Sequence, residues 1–327
     1  MIHLRIVVPG PKSERVIGLL EATPSVSSLA RLAGAALDPS GDVILCDVAR
    51  EDASVVIDDL RELRIPEEGS ISIEEIDSQL SAAAERAERA AGGLAGDAVV
   101  WEEVEARTSE ATELNANFLA FMVLACLIAS VGAMLGQPIL IVGAMVVGPE
   151  FGPLAGLSVA IVQRRRRVAV RSLTALAVGF PVGITAAFLF SLFAKWTGLV
   201  GEDFLLSERQ LTAFISKPST FSFIVALFAG AAGVLSLTSA KSGALVGVLI
   251  SVTTIPAAAA IGVACAFGDW PDWRGAMAQL AINLVAIVIA GVATLLVQNR
   301  VFQRRRNLHH GDISRAAAGL STEWRPR

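Results

Sequence analysis

The sequence predicts an α-helical polytopic membrane protein of six spans, a 3+3 inverted repeat with broken second and fifth spans, behind an N-terminal α+β ferredoxin-like domain. Three observations predict this. First, the 327 residues are 54% apolar and 18% charged, with a mean hydropathy of +0.60. That is room for a bundle of membrane helices beside one small soluble domain. Second, the charges are divided: residues 1–115 hold 10 Lys/Arg and 23 Asp/Glu, a balance of −13, whereas 116–327 hold 17 and 8, a balance of +9. Third, a carboxylate stands where a membrane should exclude one. Glu150 lies in Gly148-Pro149-Glu150-Phe151-Gly152-Pro153, midway through the apolar stretch 139–162.

The soluble domain is assigned to residues 1–77. Ile2 to Val8 is strand-like and ends at Pro9-Gly10-Pro11, after which Val16, Ile17, Leu19 and Leu20 recur at helical spacing. A weaker extended stretch follows near Val26 to Leu32. Asp42 to Val48 reads as a strand, Ala53 to Leu63 as a helix with Val56, Leu60 and Leu63 on one face, and Ser70 to Ile76 as a strand. The order β-α-β-β-α-β is that of a ferredoxin-like domain. The first residues lack a basic n-region and a cleavage site, so the domain is expected to start in the cytoplasm.

Residues 78–116 read as a helical linker, broken at Gly92-Gly93, followed by an interfacial helix from Val99 to Leu114 with Trp101 at the membrane boundary. Six apolar segments follow in a membrane domain spanning 117–298: Phe118 to Leu135, Ile139 to Val162, Val168 to Ala194, Phe221 to Leu237, Gly243 to Phe267 and Ala276 to Val297. Each is long enough for a bilayer core of about 30 Å, which needs roughly 20 helical residues. Arginines crowd 163–171 and follow Val297, while the loops near Glu202-Asp203 and Asp269 to Trp273 are acidic and aromatic. The arginine bias places both termini in the cytoplasm of an inner or plasma membrane, with Trp196, Trp270 and Trp273 as outer anchors. The basic tail, 299–327, is expected to be disordered.

At an offset of about 104, the segment 117–195 resembles 220–298 in its pattern of lengths and breaks. Each half has a helix, a very short turn (Gly136-Gln137-Pro138; Thr238 to Ser242), an interrupted helix and a long helix. The interruptions are Gly148 to Pro153 and Thr253-Thr254-Ile255-Pro256. Three spans per half is an odd number, so the second half enters the membrane upside down. That is the inverted-repeat plan of many transporters, whose broken helices meet near the midplane to form the site.

The run Ala129-Ser130-Val131-Gly132 through Val142-Gly143-Ala144-Met145-Val146-Val147-Gly148-Pro149, with Gly152-Pro153 after it, resembles the hallmark of the bacterial membrane family called domain of unknown function 389. The resemblance implies a small N-terminal α/β domain joined to a hydrophobic body, over roughly residues 1–300. It implies no activity.

The candidate substrate- or ion-binding residues are Gly148, Pro149, Glu150, Gly152, Pro153, Thr253, Thr254 and Pro256. An ionised side chain at that depth costs roughly 2.5 to 3.5 kcal/mol on insertion scales, so it persists only with partners or water. Glu150 beside carbonyls freed at Val146 and Val147 and facing the threonine hydroxyls would make an oxygen-ligand site, which favours a cation or proton over an anion. The plainer alternatives are a carboxylate capping the second half-helix and threonines satisfying backbone at a proline kink. Asn283 and Gln137 read as interhelical hydrogen-bond partners, and Gly179, Gly183, Ala186, Gly230 and Gly233 as close packing.

Catalysis has almost no candidates. His3, His309 and His310 sit in no pocket-like context, and Cys46, Cys126 and Cys265 are isolated, so neither a metal site nor a cofactor is expected. Gly10-Pro11-Lys12-Ser13 lacks the spacing of a phosphate loop. The expectation is a non-enzymatic transporter or channel-like permease for a small solute or cation, regulated by its cytoplasmic domain, with the lipid bilayer and further copies of itself as partners and no nucleic acid. The alternative is a membrane-anchored sensor or scaffold whose N-terminal domain binds a metabolite or partner.

Overall fold

The computed structural model describes residues 1–92, 98–201, 204–206, 217, 219–239, 245–309 and 313–321, with backbone alone at 110–111, 245–253, 308 and 313. The expectations placed on Gly93, Glu202-Asp203, Ala240 to Ser242, His310, the Thr253 side chain and residues 322–327 lie outside that set. The contacts divide the chain into two units: Met1–Val104 with Thr238–Ala240 and Gln298–Arg327, and Glu105–Leu237 with Lys241–Val297.

The first unit is built on strands β1 (Ile2–Val8), β2 (Val26–Leu37), β3 (Ser40–Val48) and β4 (Ser70–Glu75), with helices α1 (Gly10–Glu21), α2 (Arg50–Glu62) and the short α3 (Ile65–Glu68). The sheet order is β2-β3-β1-β4 and every neighbouring pair is antiparallel. Alternation in β1 buries Ile2, Leu4, Ile6 and Val8 against Val16, Leu19 and Leu20 of α1 and Val56, Ile57 and Leu60 of α2. This is the period-2 strand meeting two helical stripes. Two glycines are required where the chain passes the end of β1, Gly41 at the start of β3 and Gly69 just before β4. A Cβ at Gly41 would stand 2.1 Å from the Val8 carbonyl oxygen, and one at Gly69 2.0 Å from that of Val7. Burial, helped by Asp47, pushes the Cys46 thiol up to about 12, which makes it an inert core residue.

Helix α4 (Ala82–Ala91) starts at Ser81, whose hydroxyl accepts from the Ala84 amide at 3.3 Å, and ends at Gly92 with φ 63°. Helix α5 (Trp101–Ala111) follows. Trp101 is not a membrane anchor: its amide donates to Ser54 Oγ at 3.0 Å and its ring packs edge-on to Phe302, 6.3 Å between centroids. Its aromatic bulk is spent inside the first unit.

The second unit contains α6 (Ala116–Leu135), α7 (Pro138–Val147), α8 (Phe151–Val162), α9 (Arg166–Trp196), α10 (Thr220–Thr238), α11 (Leu245–Phe267) and α12 (Trp270–His309), the last running on into the first unit. Among the described residues four helices are long and apolar enough to cross a membrane, or five when α7 and α8 count as one bent span. The chain is therefore mostly helical, with four or five candidate spans and a small N-terminal sheet. Phe121, Ile139, Leu189, Phe221, Phe228 and Val297 are exposed on these helices. So large an outward apolar surface is what a bilayer covers.

Small residues set the internal packing. Gly136 adopts φ 64° after α6 and the Gln137 amide bonds back to the Gly132 carbonyl at 2.8 Å, so α7 starts at once with Pro138 in its first turn. A Cβ at Gly132 would meet Ile141 at 2.8 Å, one at Gly183 the Cys126 sulfur at 2.7 Å, and one at Gly262 the Ile184 carbonyl oxygen at 2.7 Å. Close approach of α6 to α7 and α9, and of α9 to α11, depends on these positions.

Two further expectations are corrected. The second interruption is absent: α11 runs unbroken from Leu245 to Phe267 with Pro256 inside it. A proline removes one amide donor, but a helix buried among others can carry it without breaking. The tail is also ordered where described. Residues 299–309 continue α12, and α13 (Ile313–Ala317) follows with Arg315 2% and Ala318 1% exposed. Arg305, Arg306 and Arg315 are charge partners rather than solvated chain.

Candidate functional site

The site begins with the break between α7 and α8. The Gly148 amide makes the last bond of α7, to the Ala144 carbonyl at 3.2 Å; Gly148 then turns to ψ 124°, and Pro149 cannot donate. Helix α8 restarts when the Leu154 amide bonds the Glu150 carbonyl at 3.1 Å, and Pro153 falls in its first turn, where a missing donor costs nothing. The two half-helices meet at 55°. Two Gly-Pro pairs are thus the local cause of the bend.

Glu150 occupies the N-cap position of α8, yet its side chain makes no capping bond. The carboxylate turns instead to α11, where Thr254 Oγ1 donates to Glu150 Oε1 at 2.7 Å. Both side chains are 0% exposed. A buried carboxylate needs hydrogen-bond donors to persist, and Thr254 supplies one from a different apolar helix. The local signal therefore places Glu150 as a cap, and the tertiary structure spends its charge across helices.

A cleft of about 460 Å³ opens beside the break. Gly148, Pro149, Phe151 and Gly152 form its apolar side, and Arg107, Thr108, Glu113 and Asn115 contribute polar groups. Glu150 is not itself part of the lining, though its sequence neighbours Pro149 and Phe151 are. Asn115 also caps α6, accepting from the Phe118 amide at 2.8 Å.

Of the sequence-predicted residues, Gly148, Pro149 and Gly152 line the cleft, Glu150 and Thr254 bond to each other, and Pro153 is buried in the first turn of α8. Pro256 lies within α11, two residues beyond Thr254 and outside the cleft lining. Sequence reading missed the polar side of the cleft. The signal was Asn115 three residues before Phe118, an N-cap at the head of an apolar run. Asn283 is buried on α12 and accepts from Gln279 Nε2 at 3.3 Å. Lys12 pairs with Glu68 at 2.8 Å and with the Leu63 carbonyl. Among the described residues no three His, Cys, Asp or Glu side chains converge as metal ligands would.

An uncharacterized protein of Methanocaldococcus jannaschii is 25% identical to this chain over 194 residues, 59% of this chain and 58% of that protein. The chain thus spans less than two thirds of the curated relative it matches. No solved structure matches it. The segment from Met145, at the foot of α7, to residue 289 of α12 matches the family described as Domain of unknown function (DUF389), the family that the Gly-Ala-Met and Gly-Pro motif resembles.

Proposed function

We propose that this chain is a transporter or channel-like permease for a small solute or cation, in a cell membrane with both termini cytoplasmic, working through the Gly148–Pro153 break and Thr254. The observation that carries the reading is the Thr254–Glu150 hydrogen bond. A carboxylate and a hydroxyl, both buried inside an apolar bundle, the carboxylate next in sequence to residues that line a cleft, form an oxygen-rich point that can hold a proton or a cation in turn.

The inverted repeat belongs to the same proposal. Helices α6 and α10 begin at Ala116 and Thr220, and α9 and α12 at Arg166 and Trp270, each pair 104 positions apart. Glu150 and Thr254 are separated by the same 104. In a two-fold repeat, a residue that touches its own counterpart lies on the axis relating the halves, where such transporters place their ions. Unbroken α11 makes the halves unequal, so the break of α7 and α8 supplies the irregular backbone alone. The N-terminal domain is proposed to be ferredoxin-like, supported by its strand order and antiparallel pairing, and the assembly to be a homo-oligomer.

A second reading, a membrane-anchored sensor, draws on a groove of about 580 Å³ between α1 and β2, floored by Leu20 and Ile44 and edged by Glu14, Glu21 and Arg31. Purified protein in liposomes, screened for sodium-, potassium- and proton-dependent flux, decides between them. Flux of any of these supports the permease, and its absence with ligand binding to the N-terminal domain supports the sensor.

A further inference from the structure

Helix α2 carries Asp52, Asp58, Asp59 and Glu62 along one side, and within the first unit each meets a basic residue from the C-terminal segment. Arg305 lies 3.4 Å from Asp52 and bonds the Ala91 carbonyl at 2.9 Å. Arg306 lies 3.4 Å from Asp58, and His309 Nε2 is 2.9 Å from Asp59. Arg315 completes the set: its guanidinium pairs with Asp59, reaches Glu62 at 2.7 Å and donates to the Ser321 carbonyl at 2.9 Å. On the other side, Arg15 of α1 donates to the Ala318 carbonyl at 2.9 Å.

The apolar anchoring of this segment is small. Ala318 enters the core of the first unit and Leu320 packs against it, while Ala316 and Ala317 of the five-residue α13 are exposed. Hydrophobic burial therefore holds little, and charge-assisted hydrogen bonds hold most. An attachment of that kind responds to a change in charge or in partner, as a buried ion pair does when one member is lost. The segment is also continuous with α12, one helix of 40 residues whose first part is membrane-like in composition.

We propose that residues 305–309 and 313–321 form a releasable electrostatic strap that binds the end of α12 to α2, so that movement of the last apolar helix and the state of the N-terminal domain are mechanically linked. The strap does not depend on what the apolar body carries. Its keystone is Arg315–Asp59, the pair with side chains 3% and 2% exposed; the outer pairs Arg305–Asp52 and Arg306–Asp58, 18% to 30% exposed, are salt-sensitive supports.

The test uses the full chain in detergent micelles, with hydrogen exchange and limited trypsin digestion as readouts. Arg315→Ala is expected to raise tryptic cleavage after Arg304, Arg305 and Arg306 by at least about tenfold and to speed exchange at 298–309, with β1 and β3 amides unchanged. Asp59→Asn should do the same, the double variant should add little, and Arg315→Lys, which keeps charge but loses the fork, should fall between. Unchanged cleavage in Arg315→Ala would overturn the strap. So would equal acceleration across β1 and β3, which would make the segment an ordinary part of the domain core.

Discussion

Thr254 Oγ1 donates a 2.7 Å hydrogen bond to Glu150 Oε1, joining the interior of α11 to the first residue before α8. The pair binds the bent α7–α8 segment to an unbroken helix, the two residues 104 positions apart, with neither side chain reaching solvent. Replacing Thr254 by Val keeps the shape and removes this donor to a buried carboxylate. The expected cost is about 1 to 3 kcal/mol of stability in detergent, read as a lower denaturation midpoint. Thr254→Ser should lose much less, and equal loss in both variants would show that the methyl group, not the hydroxyl, matters.

Packing makes a paired prediction. A Cβ at Gly262 meets backbone atoms of α9, the Ile184 carbonyl oxygen at 2.7 Å and the Phe188 nitrogen at 2.8 Å, whereas one at Gly143 meets nothing within 4 Å. Gly262→Leu should therefore abolish recovery of folded protein. Gly143→Ala should be neutral or stabilising by up to about 1 kcal/mol through helix propensity. Size-exclusion profiles and melting of the two purified variants check both.

The N-terminal unit has a pH signature at Glu102. Burial raises its carboxyl above the ordinary range, opposed by the Ser54 hydroxyl at 2.7 Å and by Arg61 at 2.8 Å. The folded state thus favours the protonated form. Its contribution is full below the unfolded value, about 4.3, and is lost as pH rises through the higher folded value. The stability difference between wild type and Glu102→Gln should therefore shift in favour of the variant as pH rises through that window, and a difference independent of pH would refute the assignment.

Orientation can be read directly. Under the proposed topology, a cysteine at the exposed Trp270 reacts with impermeant reagent from outside intact cells and one at the exposed Arg164 does not. The reverse labelling would invert the arrangement of the halves.

The break of α7 and α8 was legible because Gly148, Pro149, Gly152 and Pro153 act locally, through lost donors and backbone freedom. The strands of the N-terminal domain were legible from alternation, down to the weak β2, which runs longer than expected because its far half pairs with β3 while staying exposed. Pro256 misled, since whether a proline breaks a helix depends on the neighbours that hold it, not on the proline alone. The tail misled for the converse reason: Arg305, Arg306 and Arg315 read as solvated charges until their partners, roughly 250 positions away on α2, are in place. Trp101 likewise found Phe302 rather than an interface. Spacing along a chain carries none of these pairings.

The proposed function rests on the Glu150 carboxylate as the exchange point for a proton and a cation. The most direct measurement is the pH profile of cation flux in liposomes containing wild type or Glu150→Gln, which keeps the size of the side chain and removes its charge. Wild-type flux should vary with pH, Glu150→Gln should lose that dependence together with most of the flux, and Glu150→Asp should shift the profile. Flux in Glu150→Gln with an unchanged pH profile would show that Glu150 only braces α8 against Thr254, and would contradict the account.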